Sequence, residues 1–279
     1  MNYGVVGIGR WGQIVAKTLH KMNCLHSVAS NGNVKNLKKI KEEIQDINCI
    51  SIDQMFSSND VDIVFVCVPH EFLYDVAMLA LNAKKHVIIE KPGALRLEDL
   101  NSLEIKRAEV ERTCYVNYMY ATDPALDIAK ELTSCNIITN MNFFWEKRGS
   151  FDNDILMNLL THDFSIIRKF DMSDMRIHSK SLERDRVSLE LSTDKIKNCQ
   201  ILIDRNSVNK TKKIEIETQK KFLTVVDHQL SINGKKVYDS PVSPLEDHII
   251  RLNQKVSESI TNLPLAIKIL QDVMKTRAT

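Results

Sequence analysis

The sequence lacks the features that would place it at once in several large protein classes. Lysines and arginines number 38 against 36 acidic residues, a formal net charge of +2, so no basic surface broad enough for nucleic-acid binding is implied. No uninterrupted apolar run approaches the roughly 20 residues that span a bilayer. The six cysteines (Cys24, Cys49, Cys67, Cys114, Cys135 and Cys199) are scattered and form no Cys-x-x-Cys pair, which excludes zinc-ribbon and dithiol chemistry. The eight histidines show no His-x-x-x-His spacing, so no metal site is expected. The opening MNYGVVGIGRWG enters strand-like residues with no charged or apolar leader. With Cys67 set among apolar residues, that opening gives the expectation of a reduced, cytoplasmic compartment. The expected partner is a small molecule, with neither nucleic acid nor membrane.

What is present reads as a globular protein. Hydrophobic residues make up 43% and charged residues 27% of 279 positions, enough chain for one large or two ordinary cores. Short apolar runs cover residues 3–6, 25–30, 63–68, 86–90 and 114–117, with a weaker one at 49–52. Continuous β-branched stretches such as DIVFVCV and HVIIE suit parallel strands covered on both faces. Between them, FLYDVAMLALNA places Leu73, Val76, Ala77 and Ala80 at helical spacing, and a later stretch repeats Leu97, Leu100, Leu103 and Ile105. Strand and helix alternating in this way predict an α/β fold, a doubly wound parallel sheet with right-handed crossovers.

The first run ends in Gly7-Ile8-Gly9-Arg10-Trp11-Gly12 and continues as a helix. The first glycine permits a tight turn and the second lets backbone approach a pyrophosphate. The third allows close helix–strand packing, with the anion on free N–H groups at the helix start. That context predicts a dinucleotide. The second run ends in Ser30-Asn31-Gly32, followed by Lys35 and Lys38, with no carboxylate to hold ribose hydroxyls or repel a 2′-phosphate. NADP(H) is the preferred expectation, with NAD(H) possible. Two other runs end in Val68-Pro69-His70 and Glu90-Lys91-Pro92, at the strand ends where open-sheet ligands bind.

Beyond residue 118 the period changes to alternation typical of strands, as in NMNFFWEKR, RVSLELST, KKIEIET and KFLTVVD. Asn233-Gly234 between two short runs predicts a tight hairpin. The expectation is an α+β second domain with a largely antiparallel open sheet. One face would cover helices, and the other would pair with another subunit in a homodimer or homotetramer. A helix is expected from Asp154 to about Phe170, with residues 152–154 supplying its N-cap and Ile155, Leu159, Ile166 and Phe170 its apolar face. His162 and Asp163 fall mid-helix, and Asn158 one turn earlier on the same face. Ser243-Pro244-Leu245-Glu246 opens a helix lined by Leu245, Ile249, Leu252 and Val256. A last one has Ile267, Leu270 and Met274 as its apolar residues. The domain expectation is a Rossmann domain over 1–119 and a substrate domain over 120–279, the final helices returning to the first domain. Tyr118, Tyr120, Trp145 and Arg148 are pocket candidates at that junction. A carboxylate or phosphate on the substrate would suit Arg148.

Taken together, GIGRWG, AKKHVIIEKP, VNYMYATDPAL and NLLTHD resemble the glucose–fructose oxidoreductase/inositol dehydrogenase (Gfo/Idh/MocA) family through nearly the whole chain, with Lys84 where the family usually has glycine. The resemblance implies hydride transfer between a nicotinamide and a secondary hydroxyl or keto group of a sugar, sugar nucleotide or cyclitol. It implies that Lys91 steadies the substrate alkoxide, that Glu90 lies by the nicotinamide ribose, and that a cis peptide precedes Pro92. His162 would be the acid/base, with Asn158 and Asp163 as substrate contacts beside Tyr118 and Arg148. The family's Asp-x-Gly-x-His aligns with Asn158-Leu159-Leu160-Thr161-His162, so an amide replaces a carboxyl and leucine replaces glycine. Those departures leave two other readings: a dinucleotide-binding regulatory protein without catalysis, and a lyase or glycosidase that uses NAD transiently.

Overall fold

The apolar runs of the first 117 residues form six strands: β1 (Tyr3–Val6), β2 (Leu25–Ala29), β3 (Asn48–Cys49), β4 (Ile63–Val66), β5 (His86–Glu90) and β6 (Cys114–Asn117). All pair in parallel, in the order β3-β2-β1-β4-β5-β6. The order reverses between β1 and β4, the switch point at which open α/β sheets take ligands. These coordinates are a computed structural model that describes residues 1–32, 34–146 and 154–278. Every residue of β4 is buried, as a parallel strand between two helix layers requires.

Five helices belong to this sheet: α1 (Arg10–Lys21), α2 (Val34–Glu43), α3 (Ile52–Ser57), α4 (Leu73–Asn82) and α5 (Leu97–Glu109). The sequence reading did not anticipate α3, although Ser51 and Gln54 form a reciprocal capping box at its start. In α5 only Leu100 and Leu103 of the expected repeat are fully buried, and Ile105 is 70% exposed. The reason is phase: at about 100° per residue, position 105 lies on the opposite side from 103. The outer edge of the sheet is closed from far along the chain. Asn262 accepts from Val116 N at 2.7 Å and donates to Val116 O at 2.8 Å, while Thr261 Oγ1 donates to Cys114 O. The unpaired groups of β6 are thereby satisfied, as an edge strand needs.

The second half contains α6 (Pro124–Leu132), β7 (Ile138–Glu146), α7 (Thr161–Phe170), β8 (Arg176–Leu182), β9 (Arg186–Ser192), β10 (Ile196–Asp204), β11 (Thr211–Thr218), β12 (Phe222–Val226), β13 (Gln229–Ile232) and β14 (Lys235–Tyr238). The strands form one sheet in the order β14-β13-β12-β11-β7-β10-β9-β8. Only β7 and β10 pair in parallel. The hairpin turn is as expected, with positive φ at both Asn233 (49°) and Gly234 (79°). Strand β8 escaped the sequence reading because it is an edge strand of mostly exposed, polar residues without clean alternation.

The expected helix over 154–170 is not uniform. Residues Leu156–Leu160 form a π turn before α7 begins, so the four-residue register from Asn158 to His162 is not that of one continuous α-helix. Asp154 caps this segment by accepting from Met157 N at 2.9 Å; residues 152 and 153 of the expected cap lie outside the described residues. Two helices end the chain, α8 (Pro244–Ser257) and α9 (Leu263–Ala278). In α9 the buried apolar residues are Leu263, Ala266, Ile269, Leu270 and Val273, whereas Met274 is 46% exposed. Asp272 sets this phase: buried, it takes a bidentate bond from the Arg168 guanidinium at 2.7 Å on each arm.

Two compact units result, Met1–Asn117 with Leu245–Leu270, and Tyr118–Pro244 with the residues from Gln271 onward. Among the described residues no helix is long and apolar enough to cross a membrane.

Candidate functional site

In the first unit, the glycines after β1 divide into two kinds. A Cβ on Gly7, where φ is +94°, would stand 2.5 Å from Cys67 O, and one on Gly12 would stand 1.9 Å from Gly7 O. Both are demanded by the protein's own backbone. Gly9 differs, for a Cβ there meets nothing within 4 Å. It is the N-cap of α1, with no side-chain capping bond, so the leading N–H groups of that helix face an open place suited to an anion. Arg10 beside it is exposed and Trp11 half-buried. This arrangement fits a dinucleotide pyrophosphate.

The carboxyl end of β5 is held by a small polar network. Glu90 accepts from Trp11 Nε1 at 2.5 Å and from Asn117 Nδ2. Desolvation raises its pKa, and those two donors with the Lys91 charge oppose the rise. Trp11 of the glycine turn is therefore tied to the strand end that carries Lys91. Lys91 is buried, and the Lys91–Pro92 peptide is cis. At the neighbouring strand ends, Val68 is half-buried and Pro69 exposed. Following β2, Ser30 is half-buried, while Asn31 and Lys35 are exposed. Gly7, Gly9, Arg10, Trp11, Gly12, Ser30, Asn31, Lys35, Val68, Pro69, Glu90 and Lys91 all lie at or after the carboxyl ends of the four strands β1, β2, β4 and β5.

The second unit gathers rings around a histidine. His162, in the first turn of α7, is half-buried. The Trp145 indole stacks on it, with centroids 5.6 Å apart and planes at 12°, and Tyr120 meets it edge-on at 4.8 Å. Opposite Trp145 in the β7–β11 register stands Lys212. Its ammonium sits over the Tyr120 ring and 4.9 Å from the Trp145 centroid. Such ring-face contacts attract cations. Desolvation pushes the Lys212 pKa well down, against the pull of Asp163, Asp123 and Asp227.

Asp163, next to His162, is 3% exposed, and its Oδ2 is buried without a hydrogen-bond partner. Desolvation pushes its carboxyl up to about 8, with Lys212 opposing. His228 Nδ1 lies 2.5 Å from Asp123 Oδ2. A cavity of about 20 Å³ beneath Tyr120, Lys212 and His228 has room for about one water. Asn158 is half-buried in the π turn. Tyr118 is buried, its hydroxyl without a hydrogen-bond partner, and desolvation raises its pKa. Arg148 lies outside the described residues.

Sequence reasoning missed Lys212, His228 and Asp123. No local motif announces them. Lys212-Lys213 reads as an ordinary charged strand start, and only the register with β7 reveals the first lysine as a neighbour of Trp145. Among the described residues no cluster of metal-ligating side chains occurs.

Residues 1–118 match the profile of an oxidoreductase family with an NAD-binding Rossmann fold, Gfo/Idh/MocA. Over 158 residues the chain is 29% identical to a 2,7-anhydro-N-acetylneuraminate hydratase of Escherichia coli K12, covering 55% of this chain and 41% of that protein. Over 168 residues it is 24% identical to a UDP-N-acetylglucosamine 3-dehydrogenase of Acidithiobacillus ferrooxidans, covering 60% and 53%. The chain thus spans about half the length, or less, of these curated relatives. A solved structure of an Acidithiobacillus ferrooxidans UDP-N-acetylglucosamine 3-dehydrogenase superposes with a TM-score of 0.87 at 18% identity, covering 100% of this chain and 97% of that one. That likeness concerns the fold.

Proposed function

We infer that the chain is a nicotinamide-dependent dehydrogenase or reductase of a sugar-like secondary hydroxyl, proceeding from the match of residues 1–118 to the NAD-binding Rossmann oxidoreductases of the Gfo/Idh/MocA family. The observation that carries the reading is Gly9, whose missing side chain the fold itself does not require. A glycine kept where a Cβ meets only open space is explained by a ligand that comes close to the backbone.

A bound dinucleotide supplies the hydride acceptor or donor. Gly7, Gly9 and Gly12 with Arg10 and Trp11 hold its pyrophosphate at the α1 N-terminus, and Val68, Pro69 and Glu90 line its nicotinamide half. Ser30, Asn31 and Lys35 offer a hydroxyl, an amide and a cation at the ribose end, which favours NADP(H) over NAD(H). Lys91 donates a hydrogen bond to the reacting oxygen and favours its alkoxide. His162 takes the hydroxyl proton, or returns it in the reverse direction. Asn158, Asp163, Tyr118 and Arg148 are assigned to substrate. The substrate class is a sugar, sugar nucleotide or cyclitol, in keeping with the named activities of the relatives. The protein is further proposed to act as a homodimer or homotetramer in the cytoplasm, with the β12 face that exposes Phe222 (40%) and Val226 (38%) at the subunit contact.

The test is to denature freshly purified protein, identify any released dinucleotide by mass, and titrate the stripped protein with NADPH and NADH. Uptake of neither overturns the reading, and tighter NADH binding overturns the cofactor preference. Lys91→Ala should lower kcat by about 10²- to 10⁴-fold with cofactor affinity retained, and His162→Asn should act similarly. A second reading follows from the relative named as a hydratase: transient oxidation with no net turnover of NAD. Product formation without accumulating NADH or NADPH selects it.

A further inference from the structure

Several lysine ammonium groups of this molecule are spent on oxygen acceptors. Lys85 donates to Ser58 O and Val61 O, Lys169 to Ala121 O and Asp127, Lys180 to Thr276 O, and Lys275 to Met175 O. Lys212 is placed differently. Among the described residues neither carbonyl nor carboxylate accepts from its ammonium, which touches only the faces of Tyr120 and Trp145. Ring faces attract the charge but leave three N–H donors without lone pairs to meet them. A half-buried ammonium held against ring faces is served better when an acceptor arrives.

The surrounding acids do not fill the role. From α7, Asp163 is held toward its neutral form at neutral pH, because burial lifts its carboxyl to about 8. At the start of α6, Asp123 is engaged by His228. In the turn after β12, Asp227 is exposed to solvent. On β10 the Cys199 thiol is buried, and desolvation, with the Asp163 charge adding to it, pushes its pKa well up, which keeps it uncharged. The rings of Tyr120 and Trp145 also flank His162. The ammonium and the imidazole therefore share two aromatic neighbours.

We propose that Lys212 reads an anion, and that the substrate carries a single carboxylate, as a sugar acid does, beside the hydroxyl served by His162. The inference deepens the function proposed above and rests on its assignment of His162. A monoanion is favoured over a phosphate dianion because one ammonium is available and Asp123 and Asp227 lie within electrostatic reach of it. The aromatic walls suit the apolar face of a pyranose ring.

The test compares D-glucuronate with D-glucose, which differ only in carboxylate against hydroxymethyl, by calorimetry on the protein with and without saturating NADP⁺ or NAD⁺. Glucuronate should bind at least tenfold more tightly. Lys212→Met should reduce that ratio to near one, and Lys212→Arg should restore most of it. The ratio separates anion reading from a general loss of structure, and a thermal melt of each variant confirms folding. Selectivity should also decline as pH rises through about 8, when Asp163 ionises into a competing counter-ion. Equal binding of the two sugars, failure of glucuronate to bind, an unchanged ratio in Lys212→Met, or tighter binding of glucose 6-phosphate overturns the proposal. A single water in the 20 Å³ cavity as the ammonium's sole partner would appear as the first of these. Dinucleotide uptake is measured separately, so its failure sinks the oxidoreductase reading and not the anion site.

Discussion

The glycine turn of the first unit and the ring cluster of the second make their surfaces from opposite materials. The turn works by omission: the missing side chains of Gly7 and Gly12 let backbone pack closely, and that of Gly9 leaves open space before the leading N–H groups of α1. The cluster works by addition, with two aromatic rings, an imidazole and a lysine assembled from β7, β11, α7 and the segment ahead of α6. The first is written within six consecutive residues. The second exists only once a sheet has chosen its register. A site made of backbone tolerates change around it but none within it, whereas a site made of side chains is open to retuning one residue at a time.

The sharpest way to break this comparison is Gly12→Val. Its Cβ would sit 1.9 Å from Gly7 O, backbone that cannot yield, so destabilisation should exceed about 4 kcal/mol, read by urea unfolding. Next comes the second unit's own buried dependence. Asp272→Ala strands the Arg168 guanidinium, which is fully enclosed, and should cost about 3–5 kcal/mol in the same assay.

Acid should then separate the two units. His248 in the first is pushed down to about 3 by desolvation, with Arg251 adding to the fall. An unfolded histidine binds its proton near 6.5, so stability present above that pH is lost as pH falls toward 3. In the second unit, desolvation pushes Asp171 up, but hydrogen bonds from Thr193, Ser173 and Lys195 outweigh it and hold the carboxyl down to about 2. That stabilisation is lost only between about 3.8 and 2. Each unit has one tryptophan, Trp11 and Trp145, so fluorescence of the two single-tryptophan variants should show the first unit loosening at the higher pH. Coincident transitions would refute the separation. The smallest effect is Gly9→Ala. With no neighbour within 4 Å, it should leave the melting temperature within about 1 °C and weaken dinucleotide binding about tenfold, roughly 1.4 kcal/mol.

The same contrast explains what the sequence disclosed. Strands β1, β4, β5 and β6 were legible because their apolar runs are unbroken, and the hairpin at Asn233-Gly234 because both residues tolerate positive φ. The turn at Gly7–Gly12 was legible because its chemistry is local. Errors arose where tertiary packing decided. Met274 was placed inward by apolar character, yet the Arg168–Asp272 pair rotates α9 so that Val273 is buried instead. Lys212 was invisible for the same reason, since its neighbours are 67 residues away at Trp145 and 50 at His162 in the numbering of the chain. Edge strand β8 carries too little apolar pattern to be read.

The bridging of Val116 by Asn262 has a consequence for synthesis. The two residues are 146 positions apart, and a ribosome adding about 5–20 residues per second needs roughly 7–30 s to cover that distance. Throughout that interval the nascent Rossmann sheet shows an unsealed flank to every other chain nearby, exposed to strand exchange on the polysome. Slower translation downstream of β6 would lengthen the hazard, and a C-terminal truncation before residue 262 would make it permanent.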